Sequence, residues 1–258
     1  MKITVLASGS KGNCIYIEGN EGALLVDAGI SSRRIRSSVA ASGGDMGRVE
    51  GLCITHEHSD HIRGIDVFTR QCPMPVFGTG GTLAGVKGTL KSPGTAALHR
   101  VIPGEAFDTG TFSVTPFSTS HDAADPTGFC ISDGEVTIGV CTDTGMVTPV
   151  MMGFLSHCDA LVLESNHCPV MLENGPYPVF LKRRIADKNR GHLSNRAASN
   201  VLSELCPNLS AAVLAHLSEE NNTPEKALLT ARETLSLFEH DVDLEVGLQH
   251  AVTRTIEV

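Results

Sequence analysis

The chain has 258 residues and no tryptophan; two tyrosines and nine phenylalanines bring its aromatic content to only 4%, so aromatic anchors are few. No apolar run approaches the roughly 20 residues that a membrane-spanning helix needs. The opening "MKITVLASGS" has an apolar core too short for a secretory signal, so it reads as a first strand and predicts a cytoplasmic protein with no membrane partner. The eight cysteines, Cys14, Cys53, Cys72, Cys130, Cys141, Cys158, Cys168 and Cys206, include no CxxC pair. They are expected to be reduced and buried, without cysteine-held structural zinc. Excess positive charge is also lacking: the formal net charge is −9, which argues against broad electrostatic attraction to nucleic acid.

What is present suits a globular fold. Hydrophobic residues make up 41%, charged residues 19%, and 26 glycines allow many tight turns. The length allows ample core, and no low-complexity linker divides the chain, so residues 1–258 are expected to form a single domain. "KITVLAS" runs into the loop "GSKGN" (9–13); "CIYIEG" and "ALLVDAG" predict a hairpin. A serine cap and helical spacing predict a helix over 31–42, and "GGD" stops it. "IRGIDVFTRQC" reads as one helix ended by Pro73, "PVFG" as a strand, and "TGGTLAGVKGTL" as a helix with its connections. "TFSVTPFST" (111–119) is a strand, and the "DG" within "GFCISDGEVTIGVCTD" (128–143) signals a hairpin. "DALVLES" (159–165) and "AAVLAH" (211–216) are buried strands, and Thr223 with Pro224 opens a late helix. Each half reads as strands followed by strand–helix units. That order predicts an α/β fold of two similar halves, packed sheet against sheet with helices outside.

The stretch "ITHEHSDH" (54–61) carries the chemistry. It follows the apolar run "GLCIT" and places His56, His58, Asp60 and His61 within six residues. Alternate residues of an extended segment point the same way, so His56, His58 and Asp60 can converge where the strand gives out. A solvated loop would not need three histidines and an aspartate in this spacing; a metal site would. Further candidates also close apolar strands: His121 after "FSVTPFSTS", Asp143 after "TIGVCT" and His216 after "AAVLA". Strand ends converge on one rim of a sheet, where sites are usually built.

At this point the sequence resembles the metallo-β-lactamase fold superfamily, whose HxHxDH signature stands intact at His56–His61. His121, Asp143 and His216 follow in the superfamily's order, and the resemblance covers nearly the whole chain. "LASGSKGNC", "SHDAADPTGF", "CTDTG", "LESNH", "RGHLSN" and "LAHLSEENN" look like the YycJ/WalJ branch, small bacterial proteins described as metal-dependent exonucleases. One departure is Cys168, which stands after "ESNH" where relatives usually carry an acid. The resemblance implies a four-layer αββα sandwich with the metal site at one rim of the sheets. It implies two divalent ions, zinc or manganese: one on His56, His58 and His121, the other on Asp60, His61 and His216. Asp143 would bridge them together with a water, and Asp60 would count among the catalytic residues. Such a pair supplies hydroxide near neutral pH and stabilises both oxygens of an in-line displacement.

His192, on the short turn "RGHLSN" before a helix that Ser194 could cap, resembles the histidine that tRNase Z is thought to use in protonating the leaving oxygen. "LKRRIADKNRGH" (181–192) gathers Lys182, Arg183, Arg184, Lys188 and Arg190 against one acid, Asp187, immediately before that histidine. It reads either as an exposed helix face or as a phosphate-binding patch. Ser8, Ser10 and Asn13, on a glycine-bearing loop, are candidate phosphate contacts. His167, Ser194 and Asn195 are further substrate-contact candidates, while His99, His157, His240 and His250 read as surface or core fillers. The leading expectation is a dinuclear metal-dependent phosphodiesterase, a nuclease or exonuclease acting on DNA or RNA. A metallo-hydrolase of a small ester, thioester or lactone is the alternative, needing the same metals but no basic track. A non-catalytic metal or nucleotide sensor is a third reading, disfavoured by the complete ligand set with His192.

Overall fold

The computed structural model describes residues 1–92, 94, 96–237 and 241–258; the surface or core role expected of His240 falls outside them. The first half contains β1 (Lys2–Ala7), β2 (Cys14–Glu18), β3 (Ala23–Val26), α1 (Ser32–Ala41), β4 (Val49–Cys53), α2 (Ser59–Ile62), α3 (Ile65–Gln71), β5 (Pro75–Gly78), α4 (Gly80–Thr89) and β6 (Ala97–Arg100). The second begins with β7 (Phe107–Asp108), β8 (Ser113–Ser118), β9 (Thr127–Ser132), β10 (Thr137–Cys141), α5 (Pro149–Leu155) and β11 (Ala160–Glu164). It continues with α6 (Pro169–Asn174), α7 (Val179–Ile185), α8 (Asn195–Leu205), β12 (Ala211–Ala215), α9 (Pro224–Leu235), β13 (Asp243–Val246) and β14 (Ile256–Glu257).

One sheet runs β14-β1-β2-β3-β4-β5-β6 and the other β13-β12-β11-β10-β9-β8-β7. Both change character along their width. The pairings from β14 through β3, and from β7 through β10, are antiparallel; those from β3 through β6, and from β10 through β13, are parallel. The two halves thus repeat one plan, except that the last strand, β14, crosses back to complete the first sheet.

Period-2 alternation assigns each strand residue to a layer. Ile3, Val5, Leu24 and Val26 share one core with Ile131, Val140, Val162 and Val213 of the other sheet. Their neighbours face outward: Leu25 and Leu52 pack under Ile35 and Val39 of α1 and Phe68 of α3. Leu161, Leu163 and Leu214 pack under Leu155 of α5, Leu202 of α8 and Ala231 of α9. Strands covered on both faces are apolar throughout, which explains the unbroken runs "ALVL" (160–163) and "AAVLA" (211–215). The result is the expected α/β/β/α sandwich. Ser31, Ser194 and Thr223 cap their helices, each accepting a backbone N–H from three residues ahead.

The helix expected over "IRGIDVFTRQC" is divided instead. Gly64 separates α2 from α3, its N–H donating to Ala28 O at 2.8 Å. A Cβ there would lie 1.9 Å from Ile30 O, so the chain must bend around this contact. All eight cysteines are free; six are buried as expected, while Cys72 and Cys168 are half-buried because they cap α3 and α6 at the surface. No helix among the described residues is long and apolar enough to cross a membrane.

Candidate metal centre

The carboxyl ends of β3, β4, β10, β11 and β12 lead into Asp27, the His56–His61 segment, Asp143, Glu164 and His216. Ligands commonly bind outside strand ends of this kind. His56 and His58 lie on the extended exit from β4. Asp60 and His61 instead occupy the turn of α2, with His61 N donating to His58 O at 2.9 Å. The expected alternation therefore stops at His58, and the helical turn is what lets adjacent Asp60 and His61 face the same point. The carbonyls of Asp60 and His61 are fastened by the N–H groups of Asn13 and Ala28, both at 2.8 Å.

Donor atoms within 4.8 Å of one another form the groups His56–His58–His121, His56–His61–Asp143 and Asp60–His61–His216. His121 Nε2 lies 3.3 Å from His58 Nδ1. Asp60 Oδ2 lies 3.4 Å from His61 Nε2 and 3.5 Å from His216 Nε2. Asp143 reaches both sides, with Oδ2 3.2 Å from His61 Nε2 and Oδ1 3.7 Å from His121 Nε2. All seven expected ligands are thus brought together.

Two carboxylates that the sequence reading did not single out orient the rings. Asp27 Oδ2 accepts from His61 Nδ1 at 2.7 Å, and both its oxygens engage Thr55. Glu164 Oε1 accepts from His192 Nδ1 at 2.7 Å and from His216 Nδ1 at 3.1 Å, while Oε2 takes the N–H groups of Thr144 and Leu193. An ionised carboxylate only accepts, so each Nδ1 carries a proton; once the ring is neutral, Nε2 of His61, 3.1 Å from Asn13 Nδ2, and Nε2 of His216 hold the lone pair a metal needs. His121 Nδ1 similarly donates to Gly191 O at 3.1 Å. Asp27 and Glu164 were detectable: each closes a wholly apolar strand, the same signal that marked Asp143 and His216.

The donor set fits a divalent cation. His56 Nε2, His216 Nε2 and Asp143 Oδ2 are buried without a hydrogen-bond partner, a costly arrangement unless a cation completes it. Burial opposes the charge on Asp143, but the His216 and His61 rings hold its carboxyl well below the usual range. Burial likewise opposes charging His216, yet Asp143, Asp60 and Glu164 push it up to about 10. His61 is raised for the same reason, burial being outweighed by Asp27 and Asp143. Burial and the neighbouring rings push His56 down despite Asp143. Asp27, Asp143 and His216 all adopt left-handed backbone, with φ of 64°, 55° and 56°. Such conformations cost about 1–3 kcal/mol each and cluster where function demands them.

The other expected residues divide between cleft and scaffold. A cleft of about 190 Å³ over the ligands is lined in part by Ser10, Arg184, Arg190 and His192. Burial opposes a charge on His192, but Glu164 and Asp143 raise its pKa. Lys182 turns instead to Glu173 O at 2.7 Å, and exposed Arg183 and Lys188 lie outside the lining. Ser8 is buried and accepts from His216 N at 2.6 Å. Asn13 is buried too, bracing its loop through Gly9 N at 2.8 Å. Asn195 pairs reciprocally with Asn222 beneath the surface, and Ser194 is occupied as a helix cap. His167 is buried outside the cleft lining, where burial pushes it down to about 4. His99, His157 and His250 are exposed.

Comparison with known proteins agrees with this geometry. A family model described as a beta-lactamase superfamily domain matches residues 23–217. The chain is 34% identical to "Exodeoxyribonuclease YycJ" of Bacillus anthracis, over 91% of this chain and 89% of that protein. It is 33% identical to "Exodeoxyribonuclease WalJ" of Streptococcus pneumoniae, over 98% and 94%. Zn(2+)-bound PqqB from Methylobacterium extorquens shares the fold, with a TM-score of 0.74 over all of both chains at 17% identity. The chain therefore belongs to the β-lactamase superfamily, in the family that includes these YycJ and WalJ proteins.

Proposed function

We propose that this protein is a nuclease that uses two divalent ions, zinc or manganese, to hydrolyse phosphodiesters at DNA ends. The observation that carries the reading is the pairing of His192 with Glu164 in a cleft walled by Arg184 and Arg190. His56, His58 and His121 would hold one ion, Asp60, His61 and His216 the other, with Asp143 shared. When bound, the ions would neutralise phosphate charge and make a hydroxide nucleophile available near neutral pH.

The chain's own residues would do the rest. Arg184 and Arg190 draw a phosphate into the cleft despite the net charge of −9, because local charge beside the reacting group outweighs diffuse repulsion. Glu164 favours the cationic form of His192 and holds Nδ1, leaving Nε2–H to protonate the departing sugar oxygen. The names of the YycJ and WalJ relatives favour DNA over RNA. The ligand set draws on both sheets, which supports reading residues 1–258 as one domain.

The test is degradation of end-labelled single- and double-stranded DNA and RNA, run beside ester, thioester and lactone substrates with Mn²⁺ or Zn²⁺. Metal-dependent shortening of DNA from its ends is expected. Turnover of a thioester or lactone without diester cleavage would overturn the nuclease reading.

A further inference from the structure

We propose that Phe180 is a stacking platform for a nucleobase at the strand end held in the cleft. The inference rests on the nuclease reading and deepens it. In this aromatic-poor chain, the other described phenylalanines are kept from water: Phe68, Phe77, Phe112, Phe117 and Phe129 are buried, and Phe107 and Phe154 half-buried. Among the described residues Phe180 alone of its kind is exposed, at 73%, with Val179 beside it at 63%.

One exposed apolar side chain is ordinary in itself; its position is not. Phe180 precedes Arg184 by four residues on α7, so the two are neighbours along one ridge of the helix. Arg184 lines the cleft together with Leu181 and Ile185, and Phe180, next to Leu181 on the same helix, lies beside that lining rather than in it. The ridge is held in place at two points. Arg184 pairs with Asp122, next to the candidate ligand His121, and Lys182 donates to Glu173 O.

Charge selects the occupant. α7 carries Lys182, Arg183 and Arg184 and no acid, which suits a polyanion rather than an acidic-basic protein surface. A strand whose phosphate meets Arg184 would present its adjoining base to the Phe180 ring. Every base has a π-face, so such stacking is tolerant of sequence and strengthens binding without base-specific hydrogen bonds.

The experiment compares Phe180→Ala with the unaltered protein on end-labelled DNA whose two terminal nucleotides, at either end, are intact or are abasic tetrahydrofuran analogues. On intact ends the substitution should lower kcat/KM by about five- to a hundredfold. On abasic ends the penalty should collapse toward unity, and Phe180→Trp should restore cleavage of intact ends. An equal penalty on both DNAs would overturn the proposal, assigning Phe180 to support of the α7 wall. Unchanged DNA cleavage would also overturn it, whether or not Phe180→Ala breaks a self-associated form in sedimentation. If the unaltered protein cleaves no DNA, the nuclease reading falls and takes this inference with it.

Discussion

Glu164 Oε1 sits 2.7 Å from His192 Nδ1, and the same oxygen lies 3.1 Å from Nδ1 of His216. One fully buried carboxylate therefore orients both a metal-ligand candidate and the proton donor proposed for the cleft. Burial opposes its ionisation, but His192 and His216 hold it down at about 2.

His192→Ala should separate leaving groups. A sugar alkoxide needs a proton to depart, whereas p-nitrophenolate does not. The variant should slow DNA cleavage by about 10²–10⁴ and slow bis(p-nitrophenyl) phosphate far less. Metal content should persist. Loss of metal would make His192 a ligand, a live alternative because its ring lies within 4.8 Å of donors on Asp143, Glu164 and His216.

Glu164→Gln should weaken the site without changing its volume. The amide oxygen is needed where Thr144 N and Leu193 N donate, which turns the amide NH₂ toward both histidines. Each Nδ1 must then accept, so the proton moves to Nε2 and His216 loses its free donor atom. Metal affinity or activity should fall about 10–100-fold; wild-type metal affinity in this variant would show that Glu164 does not orient His216.

Metal analysis of protein prepared without chelator should give about two ions per chain, since seven ligands exceed one tetrahedral set. Asp143→Ala should lose at least one ion and several orders of magnitude in rate, with the circular dichroism of the fold retained. Near-normal turnover by Asp143→Ala would remove the shared-ligand assignment.

Loading the metal-free protein should release protons. Neighbouring carboxylates raise both His61 and His216, the latter to about 10, which favours the charged rings in the metal-free protein, and ligation requires them neutral. Calorimetry in buffers of differing ionisation enthalpy should detect about two protons released per chain at pH 7. Because the folded value for His216 is about 10, apparent metal affinity should keep rising with pH toward that value. Metal uptake without proton release would contradict the charge state assigned to both rings.

Neutralising Arg184 and Arg190 together should weaken DNA binding and flatten its salt dependence by about one unit of slope per lost phosphate contact. Lys188→Gln should do less, because Lys188 lies outside the cleft lining. Equal effects would mean that the whole basic run, not its cleft-facing part, binds the backbone.

The sequence by itself determined the sandwich and the candidate ligand residues, because both are written in local pattern. Runs apolar on both faces, such as Ala160–Leu163 and Ala211–Ala215, must be covered on both sides. The polar residues that end such runs must then sit at the sheet's rim. Tertiary structure alone decided which donor atoms face one another. Glu164 meets partners 28 and 52 residues away, and Asp27 reaches His61 across 34. Ring orientation and charge depend on those distant groups, which no window of neighbouring residues contains. The same limit explains why Asn13, on a loop, and Asn195, at the start of α8, turned inward as braces, and why only Arg184 and Arg190 of five cations line the cleft. Composition says that a side chain can bind phosphate; the direction of its helix face and the partner that holds its head decide whether it meets one.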